Sequence, residues 1–133
     1  GRIRRQRQMC IRDRIKIVHK EIRNKLQSFL IKNKKKRFVI LDIPLLLENK
    51  INKKKDILVY VESDKIDILR NLKKRKNFNV KILNKFKKIQ LPLAYKKRNS
   101  RFIIKNKFTQ KSVKDGVKKI LKIIKDERSS SRY

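Results

Sequence analysis

The 133-residue sequence has one cysteine, Cys10, and two glycines, Gly1 and Gly116. A single cysteine excludes an internal disulfide framework and a cysteine-based zinc site, which is typical of a reducing compartment. The two glycines cannot form the G-x-x-x-x-G-K-S/T loop that binds phosphates in many nucleotide-binding proteins. No apolar run approaches the roughly 18 residues of a membrane span, and no signal segment follows the basic start, so we expect a soluble cytoplasmic protein.

Acidic residues are also scarce. The chain has 11 Asp and Glu against 43 Lys and Arg, which gives a net charge of +32. Such a charge attracts phosphate-rich partners, and nucleic acid would bind at least non-specifically. The excess is mainly lysine and accompanies many isoleucines and asparagines, so AT-rich codon usage explains it equally well, and a run of charge is usually a solvated face.

The two ends of the chain differ in composition from the middle. Residues 1–15 contain six arginines and no lysine, whereas all 29 lysines lie from Lys16 onward. Residues 7–14, RQMCIRDR, are similar to translated sequencing-adapter strings, so we expect residues 1–14 to be non-native, 15–127 to be the domain and 128–133 to be a disordered tail. A basic arm that binds nucleic acid is the alternative for the first segment. Resequencing the locus distinguishes them, because a scar would be replaced by other codons.

The stretch 38–48, FVILDIPLLLE, combines an apolar block with an acid at its end. Phe38 to Leu41 is β-branched and aromatic and too continuous for a half-exposed strand, so it predicts a buried central strand. Asp42 follows that strand, and ligands of open α/β sheets bind beyond the carboxyl ends of the strands, so Asp42 is a candidate binding residue. Pro44 to Glu48 predicts a short helical turn.

Strands and helices are predicted to alternate along the rest of the chain. Apolar residues at three- and four-residue spacing predict amphipathic helices, and short apolar blocks predict buried strands. The predicted elements are a helix over 15–30, a strand over 56–61, helices over 64–75, 80–90 and 93–98, a strand over 101–105 and a helix over 112–125. The alternation indicates one α/β domain with a parallel sheet and right-handed connections.

The order of five segments resembles the dephospho-CoA kinase family. The segments are DIPLLLE at 42–48, ILVYV at 57–61, LKKR at 72–75, QLPLAYKK at 90–97 and FIIKN at 102–106. The resemblance covers about residues 15–125 and implies a P-loop nucleotide kinase that phosphorylates the 3′-hydroxyl of dephospho-CoA with ATP and Mg²⁺, the last step of coenzyme A synthesis. It also implies a three-layer α/β/α fold with a helical lid over about 64–98.

The resemblance implies roles for individual residues. Asp42 and Glu48 match the family's D-x-P-L-L-x-E signature, which implies that they bind substrate phosphates and that Asp42 lies in the outer shell of the magnesium ion. Arg75 and Lys96 match basic positions of the lid and of the Gln-x-Pro segment, where cations stabilise the transferring phosphoryl group once the lid closes. Asn106 matches the loop on the adenine side.

The chain departs from the family pattern in its phosphate-binding parts. It contains no G-x-x-x-x-G-K-S/T loop and no counterpart of the family's N-terminal aspartate, which accepts the proton of the acceptor hydroxyl. Lys20 replaces the proline of the family's His-Pro pair after His19. We therefore expect a partial P-loop kinase domain that lacks its first strand and phosphate loop and is inactive alone.

Other interpretations stay open for the chain and for its residues. The chain as a whole fits a different nucleoside-monophosphate-type P-loop kinase, or a small basic RNA-binding protein whose binding falls with salt. Asp42 fits a cap of the turn at Pro44, and Glu48 fits a surface acid paired with Lys50 or another local lysine. Arg75 and Lys96 fit solvated cations, and His19 fits a packing residue.

Overall fold

The structure, a computed structural model, describes residues 19–131. It divides into one unit that ends at Pro44 and a second unit that begins at Leu45. The predicted non-native segment 1–14 and the first four residues of the predicted helix 15–30 lie outside the described residues, as do residues 132–133.

The first unit contains helix α1, which occupies residues 19–32. This confirms the predicted helix over the residues that the structure describes. Leu26 and Leu30 are partly buried on it, whereas the Phe29 side chain is exposed. The helix ends in a turn at Asn33, whose backbone N–H and side-chain amide both donate to the Phe29 carbonyl oxygen. The Phe29 carbonyl oxygen therefore accepts two hydrogen bonds at the end of the helix.

The predicted central strand over Phe38 to Leu41 is wrong for this structure. Residues 38–43 have no regular secondary structure, and Ile40 is 88% exposed. A strand obtains its backbone hydrogen bonds from a neighbouring strand, so β-branched residues alone do not create one. Within residues 19–131 the only sheet joins two other segments, and residues 38–41 pair with neither of them.

The second unit begins with a single tight turn rather than a helix. The Asn49 N–H donates to the Leu45 carbonyl (3.0 Å), Ile51 N–H to Leu46 (3.0 Å) and Lys50 N–H to Leu47 (3.1 Å). Lys50 has φ of 50°, and this combination of bonds with a left-handed residue is the Schellman pattern that ends a helix. The short helical turn predicted from Pro44 to Glu48 therefore corresponds to this hydrogen-bonded turn over residues 45–51.

A two-stranded parallel sheet forms the centre of the second unit. Strand β1 is Val59–Glu62 and strand β2 is Phe102–Lys105, with Val59 opposite Phe102 and Glu62 opposite Lys105. This confirms the parallel pairing. The first strand begins three residues later than predicted. Val61 of β1 is 56% exposed and Ile103 of β2 is 44% exposed, so the prediction of strands buried on both faces is wrong for both strands.

Helices connect and cover the strands. They are α2 at Lys65–Lys73, α3 at Val80–Ile89, α4 at Leu93–Arg98 and α5 at Gln110–Ser130. All four were predicted, although α5 continues through Ser130 into the segment expected to be a disordered tail. The side chains of two N-cap residues accept backbone N–H groups, Asn79 from Lys81 and Thr109 from Ser112.

The most buried apolar contact lies between β2 and α5. Ile104 is 7% exposed and Ile124 8%, and they are the most buried hydrophobic residues of the described chain. A β-carbon at Gly116 of α5 would lie 3.0 Å from Cγ2 of Ile104, so this glycine lets the helix approach the strand closely. No helix in residues 19–131 is long and apolar enough to cross a bilayer.

Candidate functional site

The carboxyl edge of the sheet is formed by the ends of β1 and β2. Asn106 follows β2, and its backbone N–H donates to the Glu62 carbonyl oxygen at 2.7 Å. Its side-chain Oδ1 accepts the Phe108 N–H at 2.8 Å, while Phe108 adopts φ of 56°. These bonds fix the loop that leads into α5, and the loop lines an open cavity of about 570 Å³ with Thr109 and Val113.

An ion pair lies at the same edge. Lys97 Nζ of α4 is 2.6 Å from Glu62 Oε1, and the two side chains are 45% and 33% exposed. The pKa of Glu62 is lowered and the pKa of Lys97 is raised, and this hydrogen bond is the main cause of both shifts. Sequence reasoning missed this pair, because no local spacing joins two residues that are 35 positions apart.

A second and more buried ion pair joins two residues that the sequence singled out. Lys96 Nζ is 2.5 Å from Glu48 Oε1, and the side chains are 20% and 9% exposed. The Leu91 backbone N–H donates to the same oxygen at 3.0 Å. Burial acts to raise the pKa of Glu48, but hydrogen bonds from Lys96, from its own backbone and from Leu91, with the charge of Lys96, lower it overall.

Local structure explains how both pairs arise from adjacent lysines. Pro92 precedes α4 and stops α3 from continuing into it, since proline cannot supply the N–H that a helix needs. Lys96 and Lys97 then point in directions about 100° apart on the helix. One lysine therefore meets the acid of the turn 45–51, and the other meets the acid at the end of β1.

The two pairs lie toward opposite edges of the sheet. Glu48 lines a cavity together with Leu58 and Arg101, which directly precede β1 and β2. Asn106 and Glu62 lie at the other ends of the same strands, and four residues of strand span about 13 Å. The structure thus brings Glu48 and Lys96 together but separates this pair from Asn106.

The remaining candidate residues are exposed or stand apart. Arg75 lies in the turn after α2, where its N–H donates to Leu72, and its side chain makes no ion pair within the described residues. Asp42 is exposed in the irregular segment of the first unit, and His19 is partly buried at the start of α1. The roles assigned to these residues, and the phosphoryl contact of Lys96, stay predictions.

A magnesium ion would need few protein ligands, whereas the triphosphate of ATP would need a phosphate loop. No group of three or more metal-ligating side chains occurs within residues 19–131, but Mg²⁺ usually needs only one or two carboxylates besides the substrate phosphates. The exposed Asp42 carboxylate fits such a part, whereas Glu48 Oε1 is occupied by Lys96 and Leu91. The triphosphate requires a cradle of backbone N–H groups, and residues 1–133 contain no glycine-rich loop to form one.

Parallel strands alternating with helices define the class as an α/β protein, and the small sheet is consistent with a P-loop kinase-like fold. A family model described as Dephospho-CoA kinase matches residues 12–112, which include both ion pairs and Asn106. The chain belongs to the dephospho-CoA kinase family, so the resemblance inferred from the five segments is confirmed.

Two curated relatives carry the same description. The chain is 33% identical over 107 residues to "Dephospho-CoA kinase" of Wolbachia pipientis wMel and 29% identical over 107 residues to that of Wolbachia sp. subsp. Brugia malayi (strain TRS). Each match covers 79% of this chain and 54% of the relative, so the chain spans about half the length of these proteins. No solved structure matches it.

Proposed function

We propose that the chain is part of an enzyme that transfers the terminal phosphoryl group of ATP to the 3′-hydroxyl of dephospho-CoA in the cytoplasm, which gives coenzyme A. The observation that carries this proposal is the family match over residues 12–112. It covers the D-x-P-L-L-x-E turn and the Gln-x-Pro segment, which the Glu48–Lys96 ion pair joins. The single cysteine agrees with a reducing compartment.

Phosphoryl transfer needs positioning and cations more than covalent chemistry, because negative charge spreads over the oxygens of the transferred group. Arg75 suits this task, since its exposed side chain follows α2 and lies within the proposed lid, 64–98. Asp42 would hold the magnesium shell beside the phosphates, and Asn106 would shape the adenine side. Lys96 could donate to a phosphoryl oxygen through an N–H that its bond to Glu48 does not use, because its ammonium group has three N–H donors.

We further propose that residues 1–133 do not turn over substrate alone, because they contain no glycine-rich phosphate loop. The test is ADP release coupled to an indicator enzyme, with dephospho-CoA as the acceptor. Two proteins are compared: residues 1–133, and the product of the complete reading frame recovered from genomic DNA. We expect turnover from the second protein only.

Variants and a second acceptor sharpen the assay. In the active protein, Arg75→Ala should lower kcat by roughly a hundredfold or more if this cation contacts the transferring group. Lys76→Ala, which removes a neighbouring exposed lysine, is the matched control and should leave kcat unchanged. Robust turnover by residues 1–133 would contradict the proposed dependence on the loop. A complete protein that phosphorylates AMP or CMP but ignores dephospho-CoA would instead be a monophosphate-type kinase.

The net charge of +32 supports only non-specific binding of nucleic acid in this proposal. RNA should bind without sequence preference, and its affinity should fall steeply as salt rises. Competition between unrelated RNA oligonucleotides measures this. Preference for one sequence that persists at high salt would favour the RNA-binding alternative.

A further inference from the structure

A cavity of about 460 Å³ opens at the amino-terminal edge of the sheet in the second unit. Its position is set by Leu58 and Arg101, which precede the two strands. The volume lies within the range of small-molecule sites. Three of its lining residues are the lysines Lys50, Lys53 and Lys54, so the cavity combines adequate volume with concentrated positive charge.

Backbone hydrogen bonds order the segment that carries these lysines. The Schellman pattern at Lys50 ends the turn 45–51 and directs the chain past the cavity. Lys53 N–H then donates to Asp56 Oδ2 at 2.7 Å, and Asp56 N–H returns a bond to the Lys53 carbonyl at 3.0 Å. An anion would therefore meet lysines on a fixed backbone, which reduces the entropy lost on binding.

Two acids, Glu48 and Asp56, also line the cavity, and both accept hydrogen bonds. Glu48 binds Lys96 and the Leu91 N–H, and Asp56 accepts the Lys53 N–H. Arg101 is also paired, because it binds Glu127 of α5. In contrast, the side chains of the three lysines form no ion pair within residues 19–131, so their charge is available to an incoming anion.

The cavity has an apolar wall beside its charged side. Leu47, Leu58 and Leu91 line it, together with the ring of Tyr95, which is 42% exposed. Leucine side chains and an aromatic face accept a flat or apolar group, whereas lysines bind phosphate as point charges. The lining is thus suited to a molecule that carries both kinds of group.

We infer that this cavity binds a phosphate-bearing small molecule, with the phosphate held by Lys53 and Lys54 and any planar group placed against Tyr95. The inference is independent of the proposed kinase activity, because it rests on the cavity at the amino ends of the strands and on its unpaired lysines. The chain carries a net charge of +32, so the test compares these lysines with exposed lysines elsewhere in the chain.

The test is an NMR titration of the 133-residue chain with inorganic phosphate and then with AMP, at low salt. We expect the backbone amide signals of Lys53, Asp56 and Arg101 to shift. The double variant K53A/K54A should weaken the affinity about tenfold, which is about 1.4 kcal/mol. The control K118A/K119A removes two adjacent lysines that are exposed on α5 and should change the affinity less than about twofold.

Each outcome decides the inference. Tighter binding of AMP than of phosphate, lost in Tyr95→Leu, identifies a nucleotide-like ligand, whereas equal affinities identify phosphate as the recognised group. An equal loss of affinity in the two double variants overturns the inference, because binding then follows net charge. Shifts confined to the loop at Asn106 and Thr109 also overturn it, and so does the absence of shifts with both probes.

Discussion

Two neighbouring lysines of α4 form ion pairs in different surroundings. Lys96 meets a glutamate that is 9% exposed, while Lys97 meets one that is 33% exposed. The two nitrogen-to-oxygen distances, 2.5 Å and 2.6 Å, are almost the same. Distance alone therefore does not rank the two interactions, and burial and additional donors must do so.

Removing the partner lysine should destabilise the protein more at Glu48 than at Glu62. The Oε1 of Glu48 also accepts the Leu91 N–H, so this carboxylate binds both ends of the segment 91–96. Water replaces a lost partner readily at an exposed pair, but it reaches a 9% exposed group poorly. We conclude that Glu48–Lys96 is a structural joint between the turn 45–51 and α4, whereas Glu62–Lys97 is a weak surface pair.

The largest expected effect is that of Glu48→Ala. This change removes the partner of Lys96 and the acceptor of the Leu91 N–H, so the free energy of unfolding should fall by about 2 kcal/mol. Urea denaturation monitored by circular dichroism measures the change. Glu62→Ala is the matched control, and it should leave the denaturation midpoint nearly unchanged. Equal losses in the two variants would contradict the ranking.

A double-mutant cycle isolates each pair from its surroundings. With Glu48→Gln and Lys96→Met we expect a coupling energy of about 1 kcal/mol, since both substitutions retain most of the side-chain volume. The same cycle with Glu62→Gln and Lys97→Met should give a clearly smaller coupling. A coupling for Glu48 and Lys96 that is indistinguishable from zero would mean that the Leu91 bond alone explains the loss in Glu48→Ala.

Local patterns predicted most of the helices, and the family motifs singled out Glu48 and Lys96, which the structure joins in an ion pair. The bounds of α4, Leu93–Arg98, match the prediction because Pro92 marks its start in the sequence. Glu48 was also singled out, but its partner was expected among nearby lysines such as Lys50. Its actual partner lies 48 positions away and is reached through the fold, so local spacing carried no signal for it.

The strand predicted at Phe38 to Leu41, which the structure does not contain, shows what residue composition does not predict. Its residues favour extended backbone, yet a strand also needs a partner, and partners are set by the whole sheet. The segment 59–62 does pair, with 102–105, although its apolar block is no stronger. The two apolar blocks differ only in whether a distant segment pairs with them. The Glu62–Lys97 pair also joins distant segments, so the sequence did not reveal it.

The free energy of unfolding should depend on pH in the acidic range because of the Glu48 carboxylate. The pKa of Glu48 is lowered below its ordinary value of 4.5, so its contribution is complete above that value and is lost as pH falls through the lower folded-state pKa. The difference in unfolding free energy between the wild type and Glu48→Gln should therefore shrink below pH 4.5. Urea denaturation at several pH values measures it, and a difference that persists in acid would contradict a charged Glu48.

Salt should have the smallest effect and should act mainly on the exposed pair. Sodium chloride near 1 M reduces the Debye length to about 3 Å, which screens charges that water surrounds but screens buried charges much less. The small advantage of the wild type over Glu62→Gln should thus disappear in high salt, whereas most of its advantage over Glu48→Gln should remain. Both differences come from urea denaturation at low and high salt. Equal sensitivity of the two pairs would show that Glu48 and Lys96 are as well hydrated as Glu62 and Lys97, despite their lower exposure.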